Sequence, residues 1–438
     1  MKLVASGRAA PDTQAVVARL HFGHHDPNLG GPDNHVLGTH GVRRGYWHGR
    51  PSTHWHVDGY LADPEVSDKP RIGHVVGHLY NFSQNLGGEL TVPYQNGHGS
   101  ATRSTWQFGP WLMQLDSFWL GSSLEEAMNG DRHILSHIAY LERQNHKLFG
   151  GEQASEVCHF LGLAFALIEG CYVGPSLAAG RRKTDPFVWV WPGPRLPYST
   201  KRRSNWSVHH SYSGCLSILE PLWTKWKSLD SQEWLSRIIP IYVEASREDI
   251  PWDVRISIAQ SGLDMMSSLI LIELDHMMSF GQYNALHTAG QLRELLEHLG
   301  VDTKLPTWAK CKPMKLKGDL VDAVVDMRNA ITHPTRANRA WLASQDEIAL
   351  YHCWQVLLEY LELAILYSVG YKGKYKSCMK SSGPDDVPWL NLATSHSTSR
   401  NRKRKVRPLS GHKIGLISIL GAILSGFVLG RLSTRFRR

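Results

Sequence analysis

Asp319-Leu320-Val321-Asp322-Ala323-Val324-Val325-Asp326-Met327-Arg328-Asn329-Ala330-Ile331-Thr332-His333-Pro334 is the stretch around which the rest of this 438-residue chain is best read. Leu320, Val324, Val325 and Ile331 recur at helical spacing and predict an amphipathic helix over 319–332. Pro334 has no amide hydrogen and disfavours helical backbone at the residue before it, so the helix should stop at His333. The result is an R-N-x-x-x-H pattern, Arg328 to His333, at a helix end. Guanidinium is always charged and forks onto phosphate, while imidazole exchanges a proton near neutral pH. Metal-free RNA cleavage needs both. Asn329 and His333 are four apart and share a face, whereas Arg328 is rotated from His333 by about 140° at roughly 100° per residue. A site composed from two copies of the helix would resolve that difference. The plainer alternative pairs Arg328 with a nearby acid such as Asp326 or Glu347 and leaves His333 as a helix cap.

Other helical patterns surround this one. Ile256, Leu263, Met266, Ile270 and Leu274 mark a helix over 251–278 that opens at Pro251. Thr288 to Leu299 is followed by Gly300, suited to the left-handed residue beyond a helix end. Ser344 and Glu347 stand in capping-box spacing before a long apolar run to about residue 370. Four such helices predict an all-α bundle over 232–375. Upstream, short apolar stretches at 72–80, 90–93 and 187–191 and a helical run over 152–168 predict an α+β accessory domain spanning 71–225. Residues 1–70 are rich in Gly, Pro, Asp and His without a sustained period, and read as a poorly ordered segment. Residues 376–413 read as a polar to basic linker.

The formal charge of +9 is concentrated at one end. Eleven Lys and Arg and no acid lie in 400–438, and removing them leaves the other 399 residues at −2. The body is therefore not a generally basic nucleic-acid binder. Within the tail, residues 414–430 carry no charge and are bounded by Lys413 and Arg431. As a helix they would cover roughly 25 Å, which with snorkelling basic flanks predicts a transmembrane helix. Seven Lys and Arg precede it against four after it, so the soluble part should face the cytoplasm. The expected location is the cell inner membrane, tail-anchored. The six cysteines include no C-x-x-C pair and fit reduced thiols.

The region 232–375 resembles the HEPN superfamily, and within it the large ApeA-like HEPN proteins associated with phage defence. The resemblance is carried by Arg328 to His333 with Pro334, by Ala259-Gln260-Ser261-Gly262-Leu263-Asp264, and by residues 292–299. It continues through Glu359-Tyr360-Leu361-Glu362-Leu363-Ala364 and Gly370-Tyr371-Lys372-Gly373-Lys374-Tyr375. Val188-Trp189-Val190-Trp191 resembles the accessory region of the same proteins. The resemblance implies a helical bundle that dimerises so that both motifs face one cleft, and in many members a metal-independent ribonuclease. Arg328 and His333 would then be catalytic and Asn329 a supporting polar residue; Asp264 stands where glutamate is expected.

These readings predict a membrane-anchored, homodimeric, metal-independent endoribonuclease that leaves 2′,3′-cyclic phosphate ends, an anti-phage or toxin-like effector. Lys310, Lys312, Lys315 and Lys317 before the motif helix, and Arg336 and Arg339 after it, are the expected contacts to RNA phosphates. The expected partners are RNA, the membrane, a second copy, and a phage-derived or small-molecule trigger. The alternative is a non-catalytic membrane-bound sensor or dimerisation scaffold. No cofactor or metal is expected. His21, His24, His25 and Asp26, or His54, His56 and Asp58, could be drawn as metal ligands, but Gly59 takes the last ligand position of an H-x-H-x-D-H pattern.

Overall fold

The structure, a computed structural model, describes residues 3–9, 16–22, 35–37, 71–82, 89–93, 100–119, 135–182, 187–191, 206–207, 215–304, 319–377 and 383–390. In the first seventy residues β1 (Leu3–Ala9), β2 (Val16–Phe22) and β3 (His35–Leu37) pair antiparallel in that order. The sequence reading expected no regular element there. Paired strands satisfy each other's backbone groups even where side chains form no sustained apolar period.

β4 (His74–Tyr80), β5 (Glu89–Pro93), β6 (Ser100–Phe108), β7 (Trp111–Trp119) and β8 (Leu135–Arg143) precede helix α1 (Gly151–Glu169). β9 (Ser176–Arg181) and β10 (Phe187–Val190) follow, completing a seven-stranded antiparallel sheet ordered β10-β9-β4-β8-β7-β6-β5. Exposure alternates along β4: Val75 and Leu79 are buried, while His74, Val76, His78 and Tyr80 are half-buried. Phe108 at the end of β6 packs on Phe160 of α1, and Phe82 beyond β4 packs on Phe165. The β6–β7 hairpin turns at Gly109, with φ +47° and its N–H donating to Glu220 Oε2 at 2.6 Å. A Cβ there would lie 1.9 Å from Trp223 Nε1, so helix α2 (Leu219–Trp226) docks only against glycine.

The helical half comprises α3 (Leu229–Ser246), α4 (Trp252–Ser268) continued as a π-helix at Leu269–Leu274, α5 (Phe280–Ala285) and α6 (Thr288–Leu299). It continues with α7 (Leu320–Thr332), α8 (Arg336–Ala343) and α9 (Glu347–Ser368), then a small ladder of β11 (Lys374–Tyr375) and β12 (Asp385–Asp386). The last long helix begins two residues later than expected: Asp346, not Ser344, accepts the Ala349 N–H at its N-cap, at 2.7 Å. Gly262 lets α4 approach α3 and α9 closely, because a Cβ would sit 3.0 Å from Ile241 and from Leu361. Buried Arg255 lies between two indoles, its guanidinium carbon 4.3 Å from the Trp252 ring centre and 4.9 Å from that of Trp354. His298 Nε2 and the Tyr367 hydroxyl converge on Asp275 Oδ2 at 2.5 and 2.8 Å, tying together the ends of the π-helix, α6 and α9. Cys158 and Cys353 are buried free thiols, and burial pushes both above the usual thiol range.

Two expectations are corrected. The described residues between Ile72 and Val387 share an apolar core that runs from the sheet through α1 into the bundle, and the fold is mixed α/β in place of the expected α+β region, all-α bundle and terminal membrane helix. Among the described residues no helix is long and apolar enough to cross a membrane. The expected tail-anchored inner-membrane location is corrected on that finding, and residues 414–430, on which it rested, lie outside the described residues. The longest described helix, α9, has 22 residues but contains Glu359 and Glu362, buried where they accept from Ser377 and Tyr242. Buried carboxylates with fixed polar partners suit a protein interior, not lipid.

Candidate active site

α7 is the element that carries the R-N-x-x-x-H residues, and three features hold it. Leu320, Val321, Val324, Val325 and Met327 are buried against α4, α6 and α9. Asp319 caps the first turn by accepting the Asp322 N–H at 3.0 Å. Arg293 of α6 grips Asp319 with two hydrogen bonds of 2.9 Å and also pairs with Asp322.

The Arg293 guanidinium holds the Asp319 carboxyl below the usual carboxylate range. The unfolded chain therefore binds this proton more tightly than the folded one. The stabilisation is complete above the unfolded value of about 3.9 and is lost as pH falls through the folded one. Asp319→Ala should cost about 0.5–2 kcal/mol at neutral pH, the usual loss for an N-cap. Urea unfolding across pH 2 to 7 checks this, and the mutant should show a shallower acid limb than wild type; an unchanged limb would remove Asp319 from the acid response.

Arg328 and Asn329 are half-buried and bonded to each other, Nη1 donating to Asn329 Oδ1 at 3.1 Å. On its other side Arg328 Nη2 lies 4.0 Å from Asp264 Oδ2 of α4. The acid that meets the arginine is thus neither Asp326 nor Glu347. Asp264 is half-buried, and burial pushes its carboxyl above the ordinary range against the opposing pull of Gln260 and Arg328. His333 stands apart from this cluster, as the C-cap of α7 at φ −118° and ψ 76°, with an exposed side chain.

The backbone around His333 is firmly held. Its N–H donates to the Asn329 carbonyl at 2.9 Å, and its own carbonyl accepts from Asn338 Nδ2 at 2.6 Å and from the Thr335 N–H at 2.7 Å. Thr335 caps α8 by accepting the Asn338 N–H, and Arg339 Nη1 donates to the Pro334 carbonyl. Of the expected RNA contacts, Arg336 and Arg339 are exposed on α8, whereas Lys310, Lys312, Lys315 and Lys317 lie outside the described residues. Of the metal readings, His21 lies in β2, whereas His24, His25 and Asp26, and His54, His56 and Asp58, lie outside the described residues. Among the described residues no group of three or more His, Cys, Asp or Glu could hold a metal ion.

Sequence reading gave no role to Gln260, Arg293 or Asn338. A signal existed for Gln260. It lies four residues before Asp264, beside the apolar positions Ala259 and Leu263, where a polar side chain needs a partner.

Two stretches match domains of the YopA family. Residues 67–198 match the YopA central domain, and residues 228–386 match the YopA C-terminal domain. The YopA C-terminal match contains the whole candidate site, from Gln260 to Arg339. The SPbeta prophage-derived uncharacterized protein YopA of Bacillus subtilis (strain 168) is 23% identical over 366 residues, 74% of each chain. No solved structure matches.

Proposed function

We propose that this protein is a metal-independent endoribonuclease with a HEPN-type site, active as a homodimer. The observation that carries the reading is a helix on which Arg328 is anchored at both ends of its guanidinium while His333 closes the same helix with its imidazole exposed. Arg328 is bonded to Asn329 and paired with Asp264, which orients it as a group that stabilises developing charge needs to be. His333 is reachable, as a general acid or base must be.

In the proposed reaction His333 takes the proton of an RNA 2′-hydroxyl, whose oxygen attacks the adjacent phosphorus. Arg328 stabilises charge on the non-bridging oxygens. The bond to the 5′-oxygen breaks, and a second imidazole returns a proton to that leaving group. The products are a 2′,3′-cyclic phosphate and a 5′-hydroxyl, and DNA is spared because it lacks the nucleophile. Two imidazoles and the rotation between Arg328 and His333 along one helix both favour a site shared by two copies. The prophage origin of the 23% identical relative fits an effector used in conflict between phages, with a phage-derived or small-molecule trigger.

A second reading, a non-catalytic dimerisation scaffold, is favoured by the internal partners of Arg328. Mixed dimers separate the two. Co-assembled Arg328→Ala and His333→Ala subunits should recover cleavage that neither homodimer shows, read on a labelled RNA whose new ends resist ligation until the cyclic phosphate is opened. A fully active monomer would sink the shared site, and inert wild-type protein would leave the scaffold.

A further inference from the structure

Behind Arg328 lies a polar pair that the cleavage steps above do not use. Gln260 on α4 is 1% exposed, and its Nε2 donates to Asp264 Oδ1 at 2.7 Å. Its Oε1 is buried without a hydrogen-bond partner. A buried amide oxygen left unsatisfied costs about 1–3 kcal/mol, which an apolar side chain of the same size would avoid. Packing alone gives no reason for an amide here.

The geometry supplies another reason. Asp264 turns one oxygen to Gln260 and the other to Arg328 Nη2 at 4.0 Å, while Asn329 holds Nη1 at 3.1 Å. The guanidinium is therefore aimed from two sides, and the Asp264 side is only as well defined as the carboxylate itself. A half-buried carboxylate on a flexible side chain has several rotamers, and a fixed donor selects one of them.

We infer that Gln260 is a positioning residue, which by fixing the Asp264 carboxylate sets the direction in which Arg328 presents its guanidinium to the scissile phosphate. The inference rests on the ribonuclease reading of the same site. It separates Gln260 from residues that only fill the core, because removing its amide should help the fold and harm the chemistry.

The test is Gln260→Met in the full chain, assayed on a fluorescent single-stranded RNA oligonucleotide with thermal unfolding measured alongside. Methionine keeps the length of glutamine and removes both the donor and the unsatisfied oxygen. The unfolding midpoint should hold or rise, KM should stay at the wild-type value, and kcat should fall about tenfold, the effect of one hydrogen bond's worth of barrier. In an Arg328→Lys background, where the planar fork is already gone, Gln260→Met should change kcat by less than twofold. Asp264→Asn, at the half-buried end of the pair, carries the same comparison if the buried substitution unfolds the bundle. Additive losses in the double variant, or an unchanged kcat in the single one, overturn the positioning role. If wild-type protein cuts RNA and His333→Ala does not, either result strikes Gln260 alone; if wild-type protein cuts no RNA, the ribonuclease reading falls first.

Discussion

RNA cleavage should fall about 10²- to 10⁴-fold in His333→Ala, the range for loss of a positioned general acid or base, while thermal stability stays near the wild-type value. The separation follows from how His333 is held. Its backbone N–H and carbonyl make the contacts that fix the turn to Asn329, Thr335 and Asn338, and alanine keeps all of them. Its side chain is exposed and contributes no core packing. Initial rates on a labelled RNA, measured with and without EDTA, check both halves of the claim. Undiminished cleavage by the purified mutant would remove His333 from the mechanism. Neither Arg328 nor His333 needs a metal for the proposed roles, so EDTA should leave the wild-type rate unchanged, and complete inhibition would move the chemistry elsewhere.

Trp354→Ala should destabilise the protein by about 3–5 kcal/mol, the range for truncating a buried aromatic to alanine. Trp354 is fully buried in α9, and its Nε1 donates to the Ala245 carbonyl at 2.7 Å, joining α9 to α3. Its ring also covers the buried Arg255 guanidinium from one side. Truncation opens a cavity, strips that carbonyl of its donor and uncovers a cation, so the three losses act together. Against a typical total of roughly 5–15 kcal/mol this is a large share. Urea unfolding followed by tryptophan fluorescence and circular dichroism measures it. A loss under about 1 kcal/mol would show that the site collapses around the smaller side chain and that Arg255 finds other cover.

Much of the bundle was legible before any coordinates. The helix expected over 319–332 is α7 at Leu320–Thr332, and the helix expected over Thr288–Leu299 has those bounds, with Gly300 left-handed at φ +72°. Apolar stretches at 72–80, 90–93 and 187–191 overlap β4, β5 and β10. β6, β7, β8 and β9 were missed. Ser100 to Phe108 and Ser176 to Arg181 mix polar and small residues and become strands through partners on both sides, whereas Trp111, Met113 and Leu115 of β7 carried a period-2 signal that the sequence reading passed over. The π-helix at Leu269–Leu274 was read as more α-helix because Ile270 and Leu274 stand four apart, the spacing of one face of an α-helix. The candidate site divides in the same way. Arg328, Asn329 and His333 stood out as a local motif, whereas Arg293 and Asn338 act through contacts that only folding creates.

The sequence by itself determined where the motif helix ends and what stands there. Pro334 stops α7 at His333, because the steric effect of proline on its predecessor is complete within two residues and needs no other part of the chain. Only the tertiary structure decided what Arg328 faces. Asp326 and Glu347 were the candidates near it in sequence, yet the acid that meets it is Asp264 on another helix, itself aimed by Gln260. Which carboxylate reaches an arginine depends on how α4 and α7 cross. That crossing is set by the whole buried surface of both helices, including the Gly262 contact with Ile241 and Leu361, and not by any stretch of residues read on its own.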